Sequence, residues 1–144
     1  MSAIKKLQLK ASIQSIELFC QFVAREIKLI PFSQEKLHAI ELSLEEALAN
    51  IIKHSYKGKP WGLITVTCEI DDQQFLHLHI EHKGDAFNLI ERPISPAYKT
   101  LEALEQHGFG CALIKHLTDK LRYVYKEGVN VFTLTFDCQA PGLE

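Results

Sequence analysis

The chain has 144 residues, 47% of them apolar and 24% charged, the make-up of one soluble globular domain whose core needs no disulfide or metal staple. Sixteen Lys and Arg against eighteen Asp and Glu leave a net charge of -2, which excludes a broad nucleic-acid footprint and a polybasic membrane patch. No apolar run approaches the ~18 residues of a membrane span and no signal-peptide core precedes the first element, so a cytoplasmic single domain over residues 1–140 is expected. Cys20, Cys68, Cys111 and Cys138 are scattered with no C-x-x-C pair and read as free thiols packed like small apolar side chains. Residues 141–144 read as an unstructured tail or an expression-vector remnant and carry no argument.

In chain order, Ile4 to Leu9 reads as a short strand. Ser12 opens a helix to about Leu29 with Ile13, Ile16, Phe19, Cys20, Val23 and Ile27 at helical spacing, and Pro31 ends it. Ser33 is the expected N-cap of a second helix, with Glu35 in the first turn where the dipole favours an acid. That helix should run to about Tyr56 and stop at Lys57-Gly58-Lys59-Pro60. Ile64, Val66, Cys68 and Ile70 then alternate with Thr65, Thr67 and Glu69, and Leu76, Leu78 and Ile80 alternate with Phe75, His77, His79 and Glu81. With Asp71-Asp72-Gln73 between them, the two strands form a hairpin.

After Gly84 periodicity fades for about twenty residues, with a short helical piece around Leu101 to Gln106; an irregular stretch of this length usually serves function. Gly108-Phe109-Gly110 leads into a helix from Cys111 to about Lys120, and strands Leu121 to Lys126 and Asn130 to Asp137 close the chain around a Glu127-Gly128-Val129 turn. The order β-α-α-β-β-loop-α-β-β implies a two-layer α/β sandwich, a mostly antiparallel mixed sheet with helices on one face. The other face, with Thr65, Thr67, His77, His79 and Glu81, should be wet or lie at an interface.

On the second helix the main apolar stripe is Leu37, Ile40, Leu44, Ala47, Leu48 and Ile51. Glu46, Asn50 and Lys53 fall roughly opposite, together with Leu42 and Ala49, a mixture unlike a plain solvated face. A carboxylate and a carboxamide one turn apart suit magnesium–nucleotide chemistry: the amide oxygen is a hard neutral ligand, and the carboxylate can orient or deprotonate a hydroxyl. Alone the pair is equally a surface glutamate and a helix asparagine. Two glycine loops add to it. Gly84-Asp85-Ala86-Phe87 follows a strand end, and Gly108-Phe109-Gly110 precedes a helix N-terminus, where free N–H groups and the dipole favour an anion.

Together, in this order, these pieces resemble the histidine-kinase-like ATPase superfamily, and within it the anti-sigma-factor serine kinase branch of the RsbW type. Glu46-Ala47-Leu48-Ala49-Asn50-Ile51-Ile52-Lys53-His54 matches the N-box, Gly84-Asp85-Ala86-Phe87 matches the first glycine box in part, and Gly108-Phe109-Gly110-Cys111-Ala112-Leu113-Ile114 matches the second. The resemblance implies a Bergerat-type ATP-binding fold and an anti-sigma factor that uses Mg-ATP to phosphorylate an antagonist protein. Glu46 would be the general base and Asn50 the Mg²⁺ ligand. Gly84, with Asp85 and Phe87 of the same box, would pass close to the adenine. Gly108, Phe109 and Gly110 would cradle the phosphates, under a lid from about Asn88 to His107. The implied partners are a sigma factor and its antagonist, and a homodimer through the open sheet face.

His82 departs from the pattern, standing where the family places an Asp that accepts from the adenine amino group. It continues the inward series Leu76, Leu78, Ile80. A neutral imidazole offers one acceptor nitrogen and an imidazolium none, and losing a buried charge-assisted hydrogen bond costs about 1.5–3 kcal/mol. The rival reading is therefore a non-catalytic or nucleotide-switch module with a degenerate pocket. His77 and His79 share a strand face at a spacing that suits Zn²⁺, but no third ligand is evident and an exposed strand face accounts for them. His54 reads as a packing or capping residue.

Overall fold

The structure is a computed structural model, and it describes residues 3–56, 62–89 and 110–138. Its elements are β1 (Ala3–Lys10), α1 (Ile13–Glu26), α2 (Gln34–Asn50), a π-helical turn (Ile51–Ser55), β2 (Leu63–Ile70), β3 (Phe75–Lys83), α3 (Gly110–Leu117), β4 (Lys120–Lys126) and β5 (Val129–Asp137). The sheet order is β1-β2-β3-β5-β4. All four pairings among the described residues are antiparallel, as the mostly antiparallel sheet expected from the hairpins requires. After β3 the chain returns at the far edge as β4, parallel to β3 in direction, and β5 fills the slot between them. No two strands of like direction are adjacent.

Period-two alternation builds the inner layer. Ile64, Val66 and Cys68 of β2, Leu76, Leu78 and Ile80 of β3, and Phe132, Leu134 and Phe136 of β5 are all buried beneath Phe19, Phe22, Val23, Ile40, Leu44 and Leu48 of the helices. Burying side chains of this size stabilises by about 1.5–3 kcal/mol each. Two inward positions are polar: His82, directly across from Asn130 in the β3–β5 register. They lie at the same end of the sheet, and the candidate site is built around them.

Several boundaries move. α1 ends at Glu26, one turn short of Leu29, and Leu29 is fully in solvent while Ile27 is buried. The proline at position 31 disfavours helical backbone at residue 30, so a turn bonded through Ile30 N–H to the Ile27 carbonyl takes over. On the same helix Ile13 is exposed and Phe22 takes the buried place beside Val23. α2 begins as expected, Ser33 Oγ accepting from the Lys36 N–H at 3.0 Å with Glu35 in the first turn. It does not remain α-helical to Tyr56: after Asn50 the chain widens into the π turn, closed by Tyr56 N–H to the Ile51 carbonyl. α3 stops at Leu117, where Thr118 Oγ1 bonds back to the Ile114 carbonyl, and Lys120 belongs to β4. Glu127 and Gly128 both have positive φ, the two-residue turn that matches strand twist. The helical piece expected at Leu101 to Gln106 and the stop at Lys57-Gly58-Lys59-Pro60 lie outside the described residues, as does the tail.

On the outer face His77 and His79 are both held at both nitrogens. His77 bonds Thr135 Oγ1 through Nδ1 at 2.9 Å and Asp71 Oδ2 through Nε2 at 2.8 Å. His79 bonds Thr133 Oγ1 at 2.9 Å and Glu69 Oε1 at 2.8 Å. All four ring nitrogens of the pair are engaged in these bonds.

Candidate functional site

The site grows from the end of α2. Glu46 is half-buried, and burial raises its carboxyl above the ordinary range while the Lys53 ammonium pulls it back. Such a carboxylate holds a proton more readily than a solvated one, as a general base near neutral pH requires. Asn50 is 7% exposed, so it is part of the buried surface of α2 and not of an open polar face. Its Nδ2 donates to the Glu46 carbonyl at 2.7 Å, which commits the amide nitrogen and leaves the hard oxygen as the end offered to a cation. α3, whose first residue is Gly110, packs against α2. Gly108 and Phe109 lie outside the described residues.

The π turn then redirects the chain. One extra residue in a helical turn shifts the phase of everything after it, and such bulges recur at functional sites. Here the shift brings Ser55 and Tyr56 over the end of β3. Ser55 Oγ lies 2.9 Å from His82 Nε2. The Tyr56 hydroxyl donates to the carbonyls of Leu63 at 3.1 Å and Lys83 at 3.0 Å, and its ring meets His82 edge-on at 5.5 Å. Gly62 makes room for that ring, since a Cβ there would stand 2.7 Å from it.

His82 is 2% exposed. Phe87 meets it edge-on at 6.3 Å and Phe132 stacks on it at 6.4 Å. Burial among rings, with no charge of its own to match, pushes the imidazole down to about 4, so it is neutral at physiological pH. Its Nδ1 has no hydrogen-bond partner among the described residues. An unmatched buried nitrogen costs free energy unless something pairs with it.

The loop after β3 is fastened from β4 and β5. Gly84 has φ of 144°, a conformation an L side chain avoids. Its N–H donates to the Gly128 carbonyl, and its carbonyl accepts from the Tyr125 hydroxyl at 2.9 Å. Asn130 is wholly buried and spends both ends of its amide on the same loop. Oδ1 accepts from the Phe87 N–H at 2.8 Å and from the Tyr123 hydroxyl, while Nδ2 donates to the Asp85 carbonyl at 3.0 Å. The Gly84 N–H and carbonyl, the Asp85 carbonyl and the Phe87 N–H are thereby satisfied within the protein.

These elements border an open cavity of about 820 Å³ lined by His54, Ser55, Tyr56, His82, Gly84, Asp85 and Phe87 together with the outward strand residues Gln8, Thr65 and Glu81, a size suited to a small-molecule ligand. The structure thus brings four of the expected site residues together: His82, Gly84, Asp85 and Phe87. Glu46 and Asn50 are not among the residues lining it; they stand on the helix that leads into it. His54, expected to pack or cap, is also among the lining residues. Sequence reasoning missed Ser55, Tyr56, Gly62, Tyr123 and Asn130. Of these Asn130 left a signal, a polar residue at the head of the inward series Phe132, Leu134, Phe136.

With this geometry in place, the comparisons are specific. The family of the histidine kinase-like ATPase domain matches residues 9–136, and the chain belongs to that family. A protein named serine-protein kinase RsbW from Listeria innocua is 33% identical over 104 residues, 69% of this chain and 66% of that protein. A protein named anti-sigma F factor from Halalkalibacterium halodurans is 28% identical over 102 residues, 69% of each chain. The chain thus spans about two thirds of the length of the curated relatives it matches. A crystal structure of the RsbU and RsbW domains of a Mycobacterium tuberculosis protein superposes with a TM-score of 0.66 at 15% identity, covering 94% of this chain and 32% of that one; it bears on the fold alone.

Proposed function

We propose that the chain is an ATP-dependent serine/threonine protein kinase that acts as a cytoplasmic anti-sigma factor, phosphorylating an antagonist protein and holding a sigma factor. One observation carries the reading. The helix bearing Glu46 and Asn50 runs through the π turn straight onto the cavity formed with His82, Gly84, Asp85 and Phe87.

The residues fit Mg-ATP: a hard amide oxygen on Asn50, an unmatched ring nitrogen on His82 packed among aromatic rings, and a half-buried Glu46 carboxyl that burial raises above its ordinary range. When bound, Mg-ATP supplies the phosphoryl group and the metal charge that stabilises its transfer. Asn50 Oδ1 would hold the metal. Glu46 would accept the proton of the attacking seryl hydroxyl, and the proton would remain on its carboxyl until release to solvent. Gly108, Phe109 and the N-terminus of α3 at Gly110 would bind the phosphates through backbone N–H groups. His82, Gly84, Asp85 and Phe87 would enclose the base.

The test is transfer of labelled γ-phosphate to a purified antagonist. Glu46→Gln should lower the transfer rate by about 10³-fold while leaving ATP affinity within about twofold. A variant that transfers at the parent rate removes Glu46 from the mechanism. A second reading, a binding module that does not turn over, is favoured by the buried His82 in its ring cage; calorimetry that detects no heat at millimolar Mg-ATP would establish it.

A further inference from the structure

Two buried side-chain polar atoms among the described residues have no hydrogen-bond partner, Thr67 Oγ1 and His82 Nδ1, and only His82 lines the cavity. Its surroundings are the rings of Tyr56, Phe87 and Phe132. Of these Tyr56 and Phe87 line the cavity, and flat rings there suit a heterocycle and not a phosphate chain. The ring nitrogen, buried beside that cavity without a partner, is the group with which the polar edge of a base would pair.

The chemistry of that nitrogen is set by its neighbour. Ser55 Oγ, 2.9 Å from Nε2, is both donor and acceptor. When the hydroxyl donates to Nε2, the ring proton sits on Nδ1, which then donates. When Nε2–H donates to the hydroxyl, Nδ1 is bare and accepts. Both arrangements carry the same number of protons and no net charge, so exchanging them requires no titration. An ionised carboxylate lacks this freedom, because it only accepts.

We propose that the cavity takes 6-oxo as well as 6-amino purine nucleoside triphosphates, with His82 Nδ1 meeting the group at position 6 and the Ser55–His82 pair setting its polarity. The 6-amino group of adenine donates to bare Nδ1, and the 6-oxo group of hypoxanthine accepts from Nδ1–H. This rests on the nucleotide reading above and names which bases that site admits.

The probes are Mg-ATP and Mg-ITP, titrated calorimetrically into the whole chain. The two bases differ at position 6 and in the proton that follows at N1. Wild-type protein should bind them with dissociation constants within about tenfold of each other. His82→Asp should bind ITP about 100-fold more weakly than ATP, because a buried carboxylate then faces the oxo group with no proton between them. His82→Asn should stay within about tenfold, since a carboxamide presents either its oxygen or its N–H. Wild-type protein that binds ATP but rejects ITP by about 100-fold overturns base tolerance and leaves the nucleotide site standing. Failure to bind either nucleotide removes the site and the proposal together.

Discussion

The two faces of the sheet hold histidines in opposite circumstances. On the outer face His77 and His79 are each bridged between a threonine hydroxyl and a carboxylate, both ring nitrogens taken, the rings stacked 6.1 Å apart. On the inner face His82 is sealed among aromatic rings with one nitrogen bonded and one free. Residue type is the same in each case. What differs is whether the surrounding groups exhaust the imidazole's hydrogen-bonding capacity, and among the described residues His82 keeps one ring nitrogen unpaired.

Breaking the inner arrangement should have the larger consequences. Asn130→Ala removes the amide that holds Phe87 N–H and the Asp85 carbonyl. Several buried backbone groups lose their partner at once, so we expect about 3 kcal/mol of lost stability in denaturant unfolding. Faster hydrogen exchange at residues 84–87 should accompany it. Stability loss with unchanged exchange in that loop would deny Asn130 its role as the clamp.

Acid sharpens the contrast next. The folded chain resists charging His82 until about pH 4, whereas the unfolded chain takes up the proton near 6.5. Unfolding therefore binds a proton in that window, and stability, complete above pH 6.5, should decline by up to about 3 kcal/mol as pH falls to 4. His82→Phe should flatten this part of the pH profile. A profile identical to the wild type's would mean that another group titrates there.

The outer face should yield the smallest effect. His79→Ala breaks a half-exposed pair with Glu69 and should cost under about 1 kcal/mol. It should leave nucleotide binding untouched. A large loss of binding would show that His79 bears on the cavity as the outward lining residues Thr65 and Glu81 do.

Much of the scaffold was legible because burial and period coincide. Ile64, Val66 and Cys68, or Leu76, Leu78 and Ile80, announce a face by alternation alone, and Ser33 announces a helix start by its chemistry. The inward placement of His82 followed from the same alternation. The insertion of β5 between β3 and β4 was not legible, since a strand's pattern states which face is buried and not which neighbour it pairs with. The π turn was hidden for a related reason. Ile51-Ile52-Lys53-His54-Ser55 fits an α-helix locally, and it is the tertiary bonds of Ser55 and Tyr56 to the β3 end that accompany the extra residue. Asn130 escaped because a lone polar residue in an apolar strand gives no sign of what it will bond.

Nitrogen-15 NMR of the seven histidines during a Mg-ATP titration addresses the central claim most directly, because it watches both faces in one sample. The His82 ring resonances should move in step with nucleotide saturation, while those of His77 and His79 stay in place. Saturable binding that leaves His82 unmoved would put the nucleotide elsewhere and contradict the site described for this chain.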